Sequence, residues 1–139
     1  MQVQPYLSFE GRAEEAIEFY KKAIGAKVTM LMRHGESPDK PPPGMIPPGS
    51  EQKIMHSALT IGDSVVMATD GRVSGKPKFD GITLSLTAKD DAEAKTLFTN
   101  LAEGGEITMP LNKTFFASSF GMLKDRFGVS WMVIAGSMP

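Results

Sequence analysis

Residues 15–20, EAIEFY, return in outline at residues 93–98, EAKTLF, and this echo decides how the chain is read. Each copy is a short amphipathic helix. The first keeps Ala13, Ala16, Ile17, Tyr20 and Ile24 on one stripe and the second keeps Ala94, Leu97, Phe98 and Leu101, both at the three- and four-residue spacing of a helix with one buried side. Gly25 sits where a helix ends in a left-handed residue. Asp90 with Glu93 three residues on makes a capping-box-like start for the second helix. Working outward, an apolar strand-like run precedes each helix (2–9 and 81–88) and several follow it. Strands are expected at 26–34, 54–61 and 64–70 after the first helix, and at about 106–114, 117–124 and 129–135 after the second. The pattern is α+β: two βαβββ modules, about 1–72 and about 79–139, within a single domain 1–139. Their sheets are expected to share a hollow that hides their inner faces.

Local signals sharpen this outline. Gly62-Asp63 between two apolar runs is a hairpin turn, and pairing Ile61 with Ser64 puts His56, Ala58 and Thr60 on one face with Val65, Met67 and Thr69. Thr83, Ser85 and Thr87 alternate with Ile82, Leu84 and Leu86, as in a half-buried strand. Residues 35–53 hold Pro38, Pro41, Pro42, Pro43, Pro47 and Pro48 together with Gly35, Gly44 and Gly49, a density no helix or central strand survives. A mobile surface loop is one reading of that stretch. A lid is the other, because Met45 and Ile46 lie at its centre. Residues 71–80 read as a polar joint between the modules.

Composition removes several classes of function. With 139 residues, 41% hydrophobic and 22% charged, the chain is long enough for a sizeable core. Its net charge of −1 and lack of a basic block argue against nucleic acid as a partner. The absence of cysteine excludes disulfides and thiol catalysis. No apolar run approaches the ~20 residues of a membrane helix. The opening MQVQPYLSF has neither basic n-region nor apolar h-region, so no export signal and a cytoplasmic location are expected.

The blocks PYLSFEGRAEEAIEFYKKAIGA (5–26), MHSALTIGDSVVMATD (55–70) and FGMLKDRFGVSWMV (120–133), with the proline-rich insert between the first two, resemble the PhnB-like family of the vicinal-oxygen-chelate superfamily, which also holds glyoxalase I, bleomycin- and fosfomycin-resistance proteins and extradiol dioxygenases. The resemblance spans nearly the whole chain. It implies an α+β fold of two βαβββ modules whose eight strands form one curved mixed sheet around a cavity, a homodimer, and a site inside the cup. Names from phosphonate metabolism or ubiquinone methylation travel with the family, yet no glycine-rich strand-to-helix turn for S-adenosylmethionine or a dinucleotide is visible here.

The resemblance also implies where a divalent metal would bind in the superfamily's enzymes: His or Gln on each module's first strand, Glu on its last. Those positions fall on Pro5, or on Gln4 with a one-residue slip that sends Leu7 and Phe9 under the helix, and on Met67, Thr83 and Met132. Two thioethers, a hydroxyl and an amide bring no charge to offset the desolvation of a dication. Neither metal nor cofactor is therefore expected. The alternative is an atypical metal set of Gln4, His34 and His56.

The pocket expected from this reading is lined by Gln4, Tyr6, His56, Met67, Thr83, Ser85 and Met132, and would take a small organic molecule. His56 is the candidate acid–base group, since imidazole ordinarily titrates near neutrality. It could equally be a buried strand histidine. His34, at the loop edge, is expected to be exposed. Asp70 reads as a turn cap on the face opposite His56, and Lys124, Asp125 and Arg126 as a solvated turn. Phe115, Phe116, Phe120, Met122 and Trp131 read as core packing, with an apolar pocket as the alternative; Trp131 should lie beneath a helix. Glu18 and Lys22 are spaced as a helix-surface pair. Three functions follow: a metal-free binder of a small organic molecule, an enzyme of the same fold working through His56 or an atypical metal, or a structural module whose cavity is filled by side chains.

Overall fold

The computed structural model describes residues 1–137, which divide into two compact units, one from Met1 to Lys78 and one beginning at Phe79. In the first unit the order is β1 (Tyr6–Ser8), α1 (Ala13–Ile24), β2 (Lys27–Arg33), a single 3₁₀ turn (His34–Glu36), β3 (Ile54–Ile61) and β4 (Ser64–Thr69). In the second it is β5 (Thr83–Thr87), α2 (Asp91–Ala102), β6 (Glu106–Asn112), β7 (Ala117–Lys124) and β8 (Ser130–Ser137). Each unit is a βαβββ module. The eight expected strands are divided into two four-stranded mixed sheets, ordered β1-β4-β3-β2 and β5-β8-β7-β6. The duplication heard in the helices thus extends to strand order and direction, since β1 runs parallel to β4 and β5 parallel to β8 while all other pairs are antiparallel.

The first strand is shorter than its apolar run. Pro5 has no N–H, but its carbonyl accepts from Met67 N at 2.9 Å, so the ladder opens there and residues 2–4 lie outside it. Ile61 pairs with Ser64, as the Gly62-Asp63 turn requires. α1 buries Ala13, Ala16, Ile17, Tyr20 and Ala23 against β3 and β4, on the side where Leu7, Phe9, Leu59 and Ala68 are buried. Ala23 takes the place expected for Ile24, which is only half-buried. Gly25 closes the helix at φ 70°, and its N–H donates to Tyr20 O. α2 buries Ala94, Phe98 and Leu101. Gly121 lets it approach, because a Cβ there would lie 2.8 Å from Phe98 Cε2.

The proline-rich segment carries no strand, and both its ends are pinned. His34 N donates to Lys53 O (3.0 Å) and Gly35 N to Glu51 O (2.8 Å). Arg33 grips Glu14 of α1 through Nη2 at 2.7 Å and reaches Gln52 O at 2.6 Å, while Lys53 Nζ donates to Gly11 O at 2.9 Å. This return is why His34, expected to be exposed, is half-buried. Three further expectations are corrected. Glu18 pairs with Lys21 at 3.1 Å rather than with Lys22. Phe115 does not pack in the core but is 91% exposed, because it falls in the turn after β6 ends at Asn112. Asp125 is not a solvated turn residue: it is buried, and its carboxylate accepts from Phe127 N, Val129 N and Trp131 Nε1.

Candidate functional site

Strand alternation gives each sheet one face against its helix and one face away from it. In the first unit the cross-strand partners Tyr6↔Met67, Met67↔Ala58, Ala58↔Met30 and Met32↔His56 all lie on the side away from α1. Tyr6 is 53% exposed and Met67 and His56 are half-buried. Their neighbours along each strand, Leu7, Ser57 and Ala68, are buried on the helix side.

On that open face two rings meet. Tyr6 and His56 stand edge to face, with centroids 5.5 Å apart and planes at 69°. The phenol donates to Met55 O at 3.4 Å, and His56 Nδ1 lies 3.4 Å from the phenol oxygen. The imidazole and the phenol can thus share one hydrogen bond, whose direction is set by the histidine tautomer. Both contacts are at the long end for hydrogen bonds, so the pair is loosely tied and open to a better partner. Met67, the partner of Tyr6 on β4, supplies soft sulfur beside the rings.

The second unit builds a parallel set. Ser85 faces Met132, Thr83 faces Ser130, and Met132 faces Met122, all on the side away from α2. Trp131 points the other way, is buried, and donates through Nε1 to Asp125 Oδ2 at 2.9 Å. The expected site residues therefore fall into two groups. Tyr6, His56 and Met67 come together on the first sheet; Thr83, Ser85 and Met132 share a face of the second. Gln4 lies before β1, with its amide 3.4 Å from that of Gln2.

The acidic residues that matter most are not in this set. Asp70, 1% exposed, takes Gly11 N (2.9 Å) and Ala13 N (2.8 Å) on Oδ1 and Ile54 N (2.8 Å) on Oδ2. It caps α1 from across the fold, since Arg12 at the N-cap supplies no side-chain bond. Its turn position suggested a cap, but nothing local in the sequence announced the reach to α1. Asp91 accepts from Ser118 Oγ (2.5 Å) and Ser119 Oγ (2.7 Å), and these hydroxyls hold its carboxyl below the usual range. Burial alone would raise the Glu10 carboxyl, but hydrogen bonds from Ser8 and Ser74 outweigh it and leave Glu10 lowered as well. Glu14 is lowered chiefly by its hydrogen bonds from Arg33, whose own pKa is raised by the same bonds. Both ring nitrogens of His34 are enclosed and bond to no protein group.

A divalent metal does not suit these side chains. Among the described residues no three His, Cys, Asp or Glu side chains gather in a group that could hold one. Met67, Thr83 and Met132, which the family resemblance puts at the ligand positions, are neutral and mostly soft donors that a hard dication does not select. Among the described residues no helix is long and apolar enough to cross a membrane.

Comparison with known proteins agrees with the fold. Residues 1–134 match the family model described as 3-demethylubiquinone-9 3-methyltransferase. The chain is 37% identical to Protein YjdN of Escherichia coli (strain K12) over 96% of its own length and 94% of that protein's. It is 39% identical to the solved protein PA1353 from Pseudomonas aeruginosa, with a TM-score of 0.84 and 98% of each chain covered. It is 30% identical to a putative 3-demethylubiquinone-9 3-methyltransferase, PhnB protein, from Bacillus cereus, with a TM-score of 0.79, covering 98% of this chain and 100% of that one. In fold alone it is similar to a glyoxylase/bleomycin resistance protein/dioxygenase domain from Frankia sp. EAN1pec, at a TM-score of 0.64 and 13% identity over 98% of this chain and 91% of that one. The chain belongs to the PhnB-like family that this model describes, within the glyoxalase/bleomycin-resistance fold.

Proposed function

From that family membership we propose that this protein binds a small organic molecule, flat and carrying at least one hydrogen-bond donor, on the open face of its first sheet and without a divalent metal. The observation that carries the reading is the Tyr6–His56 pair, edge to face on the surface that also carries Met67, the cross-strand partner of Tyr6. A planar ligand would lie against Met67 and Tyr6, and His56 Nε2 would accept its donor. Gln4, just before β1, would add an amide, and Met45 and Ile46 of the proline-rich loop would cover it. Thr83, Ser85 and Met132 would offer the equivalent hydroxyls and thioether on the second sheet. The protein would act as a homodimer in the cytoplasm.

A second reading keeps the same residues and adds a reaction. The 3.4 Å separation of phenol and imidazole is within reach of proton transfer once a substrate tightens it, so His56 would serve as acid–base group. The methyl transfer named by the family description finds no support in the sequence, which lacks a glycine-rich turn for the methyl donor.

The test is a thermal-shift screen of small aromatic compounds, paired with elemental analysis of the purified protein. A ligand at a hundred times its Kd stabilises by about 2.7 kcal/mol. The expected result is a hit whose shift disappears in His56→Ala and shrinks in Tyr6→Leu, with no stoichiometric zinc, nickel or manganese. A shift unchanged in both variants, or one such metal per chain, overturns the reading. Product formation by the wild type that His56→Ala abolishes would select the second.

A further inference from the structure

The second sheet carries a feature that the organic-ligand reading uses only at one residue, Met132. Met109 on β6 is the cross-strand partner of Met122 on β7, and Met122 is the partner of Met132 on β8. Directly opposed residues on neighbouring strands point to the same side, and the strands lie about 4.8 Å apart. The pairing therefore sets the three methionines in a row across β6, β7 and β8 on the face away from α2, with the ladder irregular on either side of Met109. Around them Gly121, Leu123, Trp131 and Val133 are buried, while Met122 and Met132 are half-exposed and Met109 is 45% exposed.

The fold does not demand this row. The corresponding positions of the first sheet, on β2, β3 and β4, read Met30, Ala58 and Met67, so an alanine interrupts the sulfurs there. Nor does packing explain it, since Met109 leaves much of its surface in water. Its chemistry, by contrast, is selective. Thioethers are soft and uncharged, and they favour copper(I) and its congeners over zinc, magnesium or manganese. The desolvation penalty that argues against a dication scales with the square of the charge, so a monocation meets about a quarter of it. Lys124, two residues from Met122 on the same face, disfavours a dication further.

The spacing also fits. A trigonal site with metal–sulfur bonds of roughly 2.3 Å holds its sulfurs about 4 Å apart. Met122 starts one strand spacing from each neighbour and Met109 and Met132 start two apart, about 9.6 Å, so the outer pair must each lean inward through their three side-chain torsions. Met122 would stand at the centre while Met109 and Met132 lean towards it.

We propose that Met109, Met122 and Met132 form a binding site for one soft monovalent metal ion, copper(I) or silver(I). The site stands on the second sheet alone, so it holds or fails independently of Tyr6 and His56.

The experiment is a titration of the full chain, labelled with ¹³C at the methionine methyls, with silver(I) in chloride-free buffer. Single Met→Leu variants assign the signals. The expected result is that Met109, Met122 and Met132 move together and saturate at one ion per chain. Met122→Leu should weaken binding at least tenfold, and Met109→Leu should weaken it too. Copper(I) in competition with a chromogenic chelator should follow the same order, and zinc(II) should not shift the trio. Thermal unfolding of each variant confirms that it is folded. The proposal is overturned if the trio stays still while Met1 or Met45 moves, if saturation follows His56→Ala instead, or if Met122→Leu and Met109→Leu both bind as the wild type does.

Discussion

Asp70 and Asp125 each settle several backbone donors with one carboxylate. Asp70 takes three N–H groups and ties the start of α1 to the start of β3. Replacing it with Asn puts an NH₂ where one of those donors points and removes the charge that strengthens the others. Asp70→Asn is expected to lose about 2–4 kcal/mol of stability, measured by urea unfolding. Asp125→Asn breaks the bond to the indole of Trp131, the chain's one tryptophan, so its fluorescence should shift to the red in the folded protein. His34 is the opposite case. Its two ring nitrogens are enclosed without partners, so His34→Leu should gain about 1 kcal/mol by removing unpaired polar atoms. A loss of stability there would show that the ring is held by more than the protein's own groups.

At the scale of elements, the two helices reach the same end by different routes. α2 is capped by its own sequence: Asp90 Oδ1 accepts from Glu93 N at 2.8 Å, and the Glu93 carboxylate accepts from Lys89 N at 3.0 Å. α1 has no such local cap and relies on Asp70. α1 instead has Gly25 at its C-terminus, at a φ of 70°. Gly25→Ala should cost about 1 kcal/mol, because a Cβ is strained in that region. The base of the proline-rich loop is braced by Arg33 on Glu14, but the Glu14 side chain is 62% exposed. Glu14→Gln is therefore expected to cost less than about 1 kcal/mol, and the difference should shrink in high salt.

For the whole molecule, the lowered carboxyls of Glu10, Glu14 and Asp91 set the response to acid. Each binds its proton more weakly folded than unfolded. The stability they contribute is present above the ordinary carboxylate range, near pH 4, and is lost as pH falls through their folded values. Melting temperature should fall below about pH 4, and the fall should be shallower in a Glu14→Gln/Asp91→Asn double variant. Assembly is open to direct measurement: light scattering of the proposed homodimer would give twice the 15.0 kDa chain mass, and a monomer would remove that part of the proposed function.

The duplicated βαβββ pattern, the Ile61–Ser64 hairpin, the alternation that exposes Tyr6 and buries Leu7, and the capping of α2 by Asp90 were all legible in the sequence. Each depends on contacts within a few residues or on the two periodicities, helical and extended, that side chains obey along a chain. The structure alone decided the rest. It set Asp70 under a helix that begins 57 residues earlier in the chain, closed Asp125 around Trp131, folded His34 into the loop base, and divided the eight strands between two sheets. It also lined up Met109, Met122 and Met132. Their alignment is a matter of register between strands, and the register shifts on either side of the Met109 pair. Periodicity assigns a residue to a face; which residue stands opposite it is fixed only when the ladders close and the backbone donors find their acceptors.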